Sequence, residues 1–241
     1  MKVLDLFSGI GGFALGLERA GMETVAFCEY DEKAQLVLKK HWPNVPIYND
    51  VKTLTEKHLA NDGVTVDVIC GGFPCQDVSN AGTMEGLDGK RSGLWSEYAR
   101  LIGEIRPSYA LIENVSALLI RGLDRILCDL ASIGYDAEWH CIPASYVGAW
   151  HRRDRVWIIA YPNSQRLQRQ RKGTILRQSD ISRELDRGFE KWPGRSNLSA
   201  SRFCRTNDGI PNRSHRLRQV GNAVIPQIPQ IIARAIMEYE Q

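Results

Sequence analysis

The hydrophobic and polar positions of the first 160 residues alternate between two periods, one typical of strands and one typical of helices. Short apolar runs predict strands at residues 2–7, 24–28, near 47, 66–70, 108–112, 135–142 and 155–161. Apolar residues at helical spacing predict helices at residues 13–19, 32–41, 93–105 and 123–133, with a final helix at 228–239. This alternation predicts an α/β fold with a doubly wound, mostly parallel sheet. Because only residues 144–150 separate the last two strands, we expect these two to pair antiparallel at one edge of the sheet.

The pattern breaks at residues 162–218, which are rich in Arg, Gln, Ser, Asn and Gly and show no strong period. Residues 161–218 carry 14 Lys/Arg and 5 Asp/Glu, a local charge of +9 in a chain whose net charge is +3. A basic block on a mildly acidic body is typical of nucleic-acid binding, although a solvated basic loop has the same composition. We therefore predict a main domain formed by residues 1–160 plus 219–241, and a small basic recognition region at 161–218.

Composition also limits the class of protein. No apolar run approaches the ~20 residues that a membrane span needs, and the N-terminus enters a strand directly without the pattern of a signal peptide. The six cysteines form no Cys-x-x-Cys pair, which argues against a zinc site or a redox dithiol, and several lie in apolar runs as reduced, buried cysteines do. We expect a protein of the reducing cytoplasm, with no membrane contact and no metal.

Polar and glycine residues follow the first three predicted strands. Gly9, Gly11 and Gly12 form a glycine-rich turn that lets a ligand approach the backbone, a feature of nicotinamide, flavin and S-adenosylmethionine sites alike. Glu29 ends the second strand, where it could accept hydrogen bonds from ribose hydroxyls, and Tyr30 could stack on an adenine ring. Asp31 is expected mainly to cap the next helix. Asp50 is again an acidic residue at the end of a strand.

The fourth predicted strand leads into a stiff loop that presents one thiol, that of Cys75. Gly71 and Gly72 free the backbone there, and Pro74 keeps the preceding residue out of the helical region. Taken alone, Cys75 could be an ordinary cysteine in a tight turn. Glu113 ends the neighbouring fifth strand, however, and a thiol and a carboxyl in one crevice can act as nucleophile and proton partner. Residues 80–92 have no clear period and are expected to form a loop, which either arches over this crevice or is an ordinary surface loop.

Taken in order, these segments resemble the DNA cytosine-5 methyltransferases of bacteria and phage. Residues 5–12 resemble the cofactor loop of that family, residues 72–76 its nucleophile loop and residues 113–115 its catalytic acid motif. Arg153 and Arg155 match its paired arginines, and residues 219–226 resemble its closing motif. The resemblance covers residues 1–160 and 219–241. It implies a Rossmann-like methyltransferase fold that acts on double-stranded DNA.

The resemblance also implies a mechanism with named residues. The Cys75 thiolate would add to C6 of a flipped cytosine, so that C5 can take a methyl group from S-adenosylmethionine and leave S-adenosylhomocysteine. Glu113 would donate to N3 of the base, which requires a protonated carboxyl, so we expect an environment that raises its pKa. Arg155 would bind the cytosine O2, and Arg153 would help to hold the thiolate or a phosphate.

Further residues follow from the resemblance by position or as candidates in the basic region. The residues expected around S-adenosylmethionine are Asp5, Phe7, Gly9, Gly11, Gly12, Glu29, Tyr30, Asp50, Val51, Phe73, Pro74, Leu94, Asn222, Ala223 and Val224. The residues expected on DNA are Gln76, Ser79, Arg91, Arg202, Arg205, Asn207, Asn212 and Arg213.

Two departures and three alternatives accompany this interpretation. His151 stands where the family usually has glutamine, and the recognition region is short, without the distinct motif that commonly follows it. An RNA cytosine-5 methyltransferase is the nearest alternative, but that branch carries a Cys-Phe-Thr tripeptide that is absent here. A catalytically silent DNA-binding relative and a nicotinamide-dependent oxidoreductase are the others. The sequence leaves open the target sequence, the oligomeric state and any cognate restriction endonuclease.

Overall fold

The computed structural model describes residues 1–74, 93–149, 152–165, 173–186 and 222–241, and its centre is a seven-stranded sheet in the order β3-β2-β1-β4-β5-β7-β6. The strands are β1 (Lys2–Leu6), β2 (Glu23–Cys28), β3 (Ile47–Tyr48), β4 (Val68–Gly72), β5 (Tyr109–Val115), β6 (Tyr135–Pro143) and β7 (Asp154–Pro162). The first five strands pair in parallel, and β7 pairs antiparallel with both β5 and β6. The predicted doubly wound, mostly parallel sheet with an antiparallel edge is confirmed.

The described residues form eight helices, of which the first six lie between strands and the last two follow β7. They are α1 (Gly12–Arg19), α2 (Glu32–His41), α3 (Glu56–Asn61), α4 (Gly93–Ile105), α5 (Leu118–Arg121), α6 (Leu123–Ser132), α7 (Gln178–Asp186) and α8 (Gln227–Glu240). Short 3₁₀ turns lie at Ala144–Val147 and Asn163–Gln165. The sequence pattern did not predict α3, α5 or α7. The first two are too short to show a period, and α7 lies in the stretch for which no regular structure was expected.

The sheet is covered on both faces, which explains why its inner strands read as nearly continuous apolar runs. On one face α4 contributes Tyr98, Leu101 and Ile102, which have no exposed surface. On the other face α1 and α8 pack side by side, and Leu17 and Ile232 lie in that layer. No helix of the described part is both long and apolar enough to cross a membrane.

Two glycines let α1 approach the residues that precede α8. A Cβ atom at Gly12 would lie 2.5 Å from the carbonyl oxygen of Val224. A Cβ atom at Gly16 would lie even closer to the carbonyl oxygen of Pro226, and 2.7 Å from Cγ of Pro229. The two backbones therefore meet almost directly, which brings the residues after 221 against the glycine-rich turn.

Part of the predicted recognition region packs on this body. Ile175, Leu176 and Ile181 are buried, and they join the apolar layer formed by α1 and α8. The division into residues 1–160 plus 219–241 and residues 161–218 stays a prediction, since only 161–165 and 173–186 of the second part are described. Within it, residues 173–186 are an ordered extension of the α1/α8 layer, contrary to the unpatterned segment expected there.

Candidate active site

The candidate active site lies at the carboxyl ends of four adjacent strands, β2, β1, β4 and β5. The chain winds from β1 towards β2 in one direction and from β4 towards β5 in the other. The strand order therefore reverses between β1 and β4, and open α/β sheets bind ligands outside the carboxyl ends at such a point. The glycine-rich turn, the loop that leads to Cys75, and Glu113 are all carried by these strand ends.

The turn after β1 owes its shape to backbone conformations that favour glycine. Phe7, Gly9 and Gly11 have φ values of 53°, 55° and 85°, all in the left-handed region. The space beside Gly9 is open, because a Cβ atom built there meets nothing within 4 Å. The amide of Gly9 donates a 2.7 Å hydrogen bond to Glu29 Oε2, and the hydroxyl of Ser8 donates to the carbonyl of Asp5 at 2.6 Å.

Glu29 holds the glycine turn and the start of α2 together. Its second oxygen, Oε1, accepts a 2.7 Å hydrogen bond from the amide of Asp31. Each oxygen keeps a further lone pair, so a ligand hydroxyl can still bind there. Asp31 accepts from the amides of Lys33 and Ala34, which confirms that it caps α2. Tyr30 is 80% exposed between these two acids.

Other residues expected around the cofactor shape the wall of this site. Asp50 accepts a 2.9 Å hydrogen bond from the amide of Lys52 and so fixes the turn after β3. The side chain of Val51 is buried, and its carbonyl accepts a 3.0 Å hydrogen bond from Arg100. Leu94, at the start of α4, is partly buried against the same apolar layer. Val51 therefore belongs to the core beneath the site, which its position in the sequence pattern does not reveal.

Asp5 lies directly below the glycine turn and has no exposed surface. Neither carboxyl oxygen finds a hydrogen-bond partner of good geometry among the described residues. Burial raises the pKa of Asp5 to about 8, and the nearby Cys70 thiol and Ala14 amide offset that rise only in part. Asp5 is thus positioned to support the turn as an internal, largely neutral acid at neutral pH.

The nucleophile loop is described up to Pro74. Phe73 is buried against Trp95, with 5.7 Å between ring centroids, whereas Pro74 is exposed. The side-chain amide of Asn114 donates to the carbonyl of Phe73 at 3.2 Å, and its oxygen accepts from the amide of Val115 at 2.8 Å. Asn114 is buried and therefore ties the end of β5 to the loop that carries the thiol. The sequence places it beside Glu113 but gives no sign of this contact.

Several predicted residues lie outside the described ranges, so no geometry can be attached to them. They are the predicted nucleophile Cys75, the loop at 80–92, His151, and all the residues expected on DNA, namely Gln76, Ser79, Arg91, Arg202, Arg205, Asn207, Asn212 and Arg213.

Glu113 and Arg155 meet across the paired strands β5 and β7. The guanidinium Nε of Arg155 lies 2.9 Å from Glu113 Oε1, and the two side chains are only 25% and 13% exposed. Burial raises the pKa of Glu113 above its usual value, although the charges of Arg155 and Arg153 act against the rise. Desolvation is the largest contribution, so the net pKa of Glu113 is raised, in the direction expected from the sequence.

Arg153 is held in a conformation that arginine rarely adopts. Its φ is 35°, and its side chain is partly buried. Burial lowers the pKa of Arg153, the neighbouring Arg155 lowers it further, and Glu113 acts in the opposite sense. Two guanidinium groups and one carboxyl therefore share a poorly solvated volume, where their fields are stronger than in water.

Gly72 sets how closely the carboxyl of Glu113 approaches β4. The two residues pair in register, and a Cβ atom at Gly72 would lie 2.6 Å from Glu113 Oε2. Since Gly72 stands three residues before Cys75, the absence of a side chain brings the acid next to the strand that leads to the thiol. The sequence indicated a need for backbone freedom at Gly72, whereas its contact with Glu113 depends on the pairing of strands.

The residues before α8 complete a small cleft around the acid. Asn222 is exposed. Trp157 lies opposite Glu113 in the β5–β7 pairing, and its indole N–H is buried without a partner in the described part of the chain. The cleft is lined by Glu113, Arg153, Arg155, Trp157, Ala223, Val224, Ile225 and Ile228. Since Val224 also lies against Gly12, one short segment borders both the glycine turn and the cleft that contains Glu113.

Comparison with known protein families gives a match over most of the chain. The family model described as C-5 cytosine-specific DNA methylase matches residues 1–208. The chain is 39% identical over 168 residues to the type II methyltransferase M2.BsuMI of Bacillus subtilis, covering 66% of this chain and 42% of the relative. It is 36% identical over 161 residues to M.CviJI of Paramecium bursaria Chlorella virus IL3A, with the same coverage. The chain spans less than half the length of these relatives.

Solved structures agree in fold. A DNA modification methyltransferase encoded within an E. coli prophage is 28% identical with a TM-score of 0.59, covering 69% of this chain and 48% of that one. The DNMT2 protein of Spodoptera frugiperda is 24% identical with a TM-score of 0.56, covering 67% and 50%. At that identity the second likeness supports the fold alone.

Proposed function

This chain belongs to the family of C-5 cytosine-specific DNA methylases, and we propose that it transfers a methyl group from S-adenosylmethionine to C5 of a cytosine in double-stranded DNA. The observation that carries the proposal is the buried Glu113, whose pKa is raised beside Arg155 at 2.9 Å. A carboxyl with a raised pKa holds its proton more readily and so can donate it to the base. Glu113 also lies on the strand next to the one that leads to Cys75.

The chemistry needs one covalent bond that forms and then breaks. The Cys75 thiolate adds to C6 of the cytosine, and the electron density that moves onto the ring is balanced by the proton that Glu113 donates to N3. C5 then becomes nucleophilic enough to accept a methyl group. Loss of the C5 proton to water expels the thiolate from C6, and N3 returns its proton to the Glu113 carboxylate. These two steps restore the aromatic ring and leave 5-methylcytosine. Thiol suits this role because it ionises readily and leaves again easily.

The two oxygens of Glu113 have different tasks in this proposal. Oε1 is held by Arg155, whereas Oε2 lies towards Gly72 and hence towards the strand that carries the thiol. Oε2 is thus the oxygen that would face the base. Arg155 fixes the orientation of the carboxyl and in this proposal would also bind the cytosine O2. General acid–base help of this kind is typically worth about 10²–10⁴-fold in rate.

The residues around the glycine turn fit S-adenosylmethionine. The open space beside Gly9, the exposed ring of Tyr30 and the remaining lone pairs of Glu29 supply room, a stacking surface and hydrogen-bond acceptors. Phe7, Gly11, Asp50 and the segment at Val224 would complete the site. The bound sulfonium supplies an electrophilic methyl group to the reaction.

The base must leave the duplex to reach Glu113, because the thiol cannot approach C6 inside a stacked helix. We propose that the loop at 80–92 closes over the flipped base and that the basic region at 161–218 binds phosphates and base edges. The relatives are named type II methyltransferases, and on that likeness we propose that a cognate restriction endonuclease accompanies this chain. The same holds for a cytoplasmic location.

Methyl transfer to mixed-sequence duplex DNA tests the proposal directly. The purified chain is incubated with labelled S-adenosylmethionine and either duplex DNA or transfer RNA, and modified positions in the DNA are mapped by sequencing at base resolution. We expect 5-methylcytosine in one recurring sequence of the DNA and no label in the RNA. Cys75→Ser should abolish transfer while S-adenosylmethionine still binds. Labelled RNA, another methylated atom or an active Cys75→Ser variant would overturn the assignment.

A further inference from the structure

A single buried carboxylate holds the start of the basic region against the sheet. Glu138, on the edge strand β6, is 13% exposed. Its Oε2 accepts a 3.0 Å hydrogen bond from the amide of Ile175, and its Oε1 accepts a 3.0 Å hydrogen bond from the amide of Leu176. Nε2 of His140 lies 3.2 Å from Oε1. Two consecutive backbone amides of a distant segment therefore converge on one side chain.

The charge state of Glu138 agrees with this clamp. Burial by itself would raise its pKa, but the hydrogen bonds from His140, Leu176 and Ile175 lower it below its usual value. The carboxyl is therefore ionised at neutral pH. Hydrogen bonds to an ionised acceptor are stronger than those between neutral groups, and removal of the acceptor would leave two poorly solvated amides without a partner.

Apolar contacts and a second ion pair support the docked segment. The side chains of Ile175 and Leu176 are buried in the layer formed by α1 and α8, and Ile181 of α7 joins them. Nη1 of Arg183 lies 2.9 Å from Oε2 of Glu238 on α8, with the two side chains 47% and 50% exposed. An exposed pair of this kind contributes little, whereas the largely buried Glu138 accepts two charge-assisted hydrogen bonds from the segment.

The docked segment also contacts the turn that leads to the catalytic arginines. Helix α7 packs against the 3₁₀ turn at Ala144–Val147. The amide of Ala144 donates a 2.6 Å hydrogen bond to the carbonyl of Arg152, the residue before Arg153. The position of α7 is therefore linked, through a turn and one short hydrogen bond, to the arginines beside Glu113.

We propose that Glu138 is a positioning residue for the DNA substrate. It fixes residues 173–186 on the sheet, and the sequence that follows, residues 187–221, carries eight Lys/Arg and two Asp/Glu, a composition typical of phosphate contacts. Through the contact of α7 with the turn at Ala144–Val147, and the hydrogen bond from Ala144 to Arg152, Glu138 also fixes the strand that carries Arg155 beside Glu113. Bound DNA would thereby present its cytosine to the acid. The inference rests on the proposed methyl transfer to DNA.

Steady-state methylation by Glu138 variants tests the proposal. Glu138→Ala removes both acceptors, and we expect the KM for DNA to rise about tenfold or more, while kcat and the affinity for S-adenosylmethionine change by less than about threefold. Glu138→Gln keeps one acceptor, so its KM for DNA should lie between those of Glu138→Ala and the wild type. Glu23→Ala, which removes an exposed carboxyl at the start of β2, serves as the matched control and should behave as wild type.

Hydrogen exchange separates the docking from the activity. The amides of Ile175 and Leu176 should exchange at least about tenfold faster in Glu138→Ala than in the wild type, whereas exchange in β4 and β5 should be unchanged. Unchanged exchange at these two amides would overturn the docking role. Faster exchange with an unchanged KM for DNA, or an equal loss of kcat and cofactor affinity, would overturn the positioning role. A wild-type chain that methylates no DNA would instead refute the proposed function, and the exchange result would stand apart from it.

Discussion

Replacing Gly16 by alanine places a methyl group against the backbone that precedes α8. The new Cβ atom would overlap the carbonyl oxygen of Pro226 and would lie 2.7 Å from Cγ of Pro229 and 3.1 Å from the amide nitrogen of Gln230. A carbonyl and a proline ring cannot rotate away as a flexible side chain does. The overlap can therefore be removed only if α1 and α8 move apart. That movement would also displace the segment at Val224, which lines the cleft.

The size of the effect is a balance between two terms. Overpacking of a well-packed contact typically costs about 1–3 kcal/mol, whereas alanine is favoured over glycine inside a helix by about 1 kcal/mol. We expect Gly16→Ala to lower the free energy of unfolding by about 0–2 kcal/mol. Because Val224 touches both the glycine turn and the cleft, the affinity for S-adenosylmethionine should fall up to about tenfold, the factor that corresponds to about 1.4 kcal/mol.

Denaturant unfolding and calorimetric titration of the cofactor measure these two quantities. Gly103→Ala provides the control, because Gly103 lies in α4, where a Cβ atom would meet only Cγ2 of Ile133 at an ordinary 3.8 Å. That variant should gain about 1 kcal/mol from helix propensity and bind the cofactor as the wild type does. If Gly16→Ala proves as stable as Gly103→Ala and binds the cofactor equally well, the close approach of α1 and α8 has no energetic significance.

Two further variants test the acids of the site. Glu113→Gln should lower the single-turnover rate of methyl transfer by about 10²–10⁴-fold, because the amide keeps the shape of the side chain but cannot donate an acidic proton. DNA binding should stay nearly unchanged in a gel-shift assay. A parallel loss of binding would indicate a structural role. Asp5→Asn removes a carboxyl whose pKa is about 8 in the folded protein and 3.8 in the unfolded chain. The folded wild type holds this proton more tightly, so its free energy of unfolding should fall relative to that of the variant as the pH rises from about 4 to about 8. The difference should be on the order of a few kcal/mol in urea unfolding. Parallel pH profiles for the two proteins would contradict the burial of a neutral Asp5.

The sequence by itself determined the elements that depend on local signals. The predicted bounds of α2 and α4 agree with Glu32–His41 and Gly93–Ile105, because an acidic cap, a regular apolar spacing and a following proline act within a few residues. The order of strands and helices also sufficed for the doubly wound sheet, and the pairing of β4 with β5 followed from that order. The motifs likewise predicted that Glu113, Arg153 and Arg155 share one site, and the structure brings these three side chains into one cleft. The role of Cys75 stays a prediction.

Tertiary structure alone decided how these groups meet. Glu113 contacts Arg155 because β7 inserts between β5 and β6. The apolar pattern of one strand predicts neither which strand it pairs with nor the register of the pairing. The close contact of Gly16 with Pro226 and the clamp of Glu138 on two distant amides likewise join residues far apart in sequence. Such contacts are selected by the sum of packing and burial over the whole chain. Local patterns can name the residues of the site, but only the packed fold fixes their distances and the pKa of Glu113.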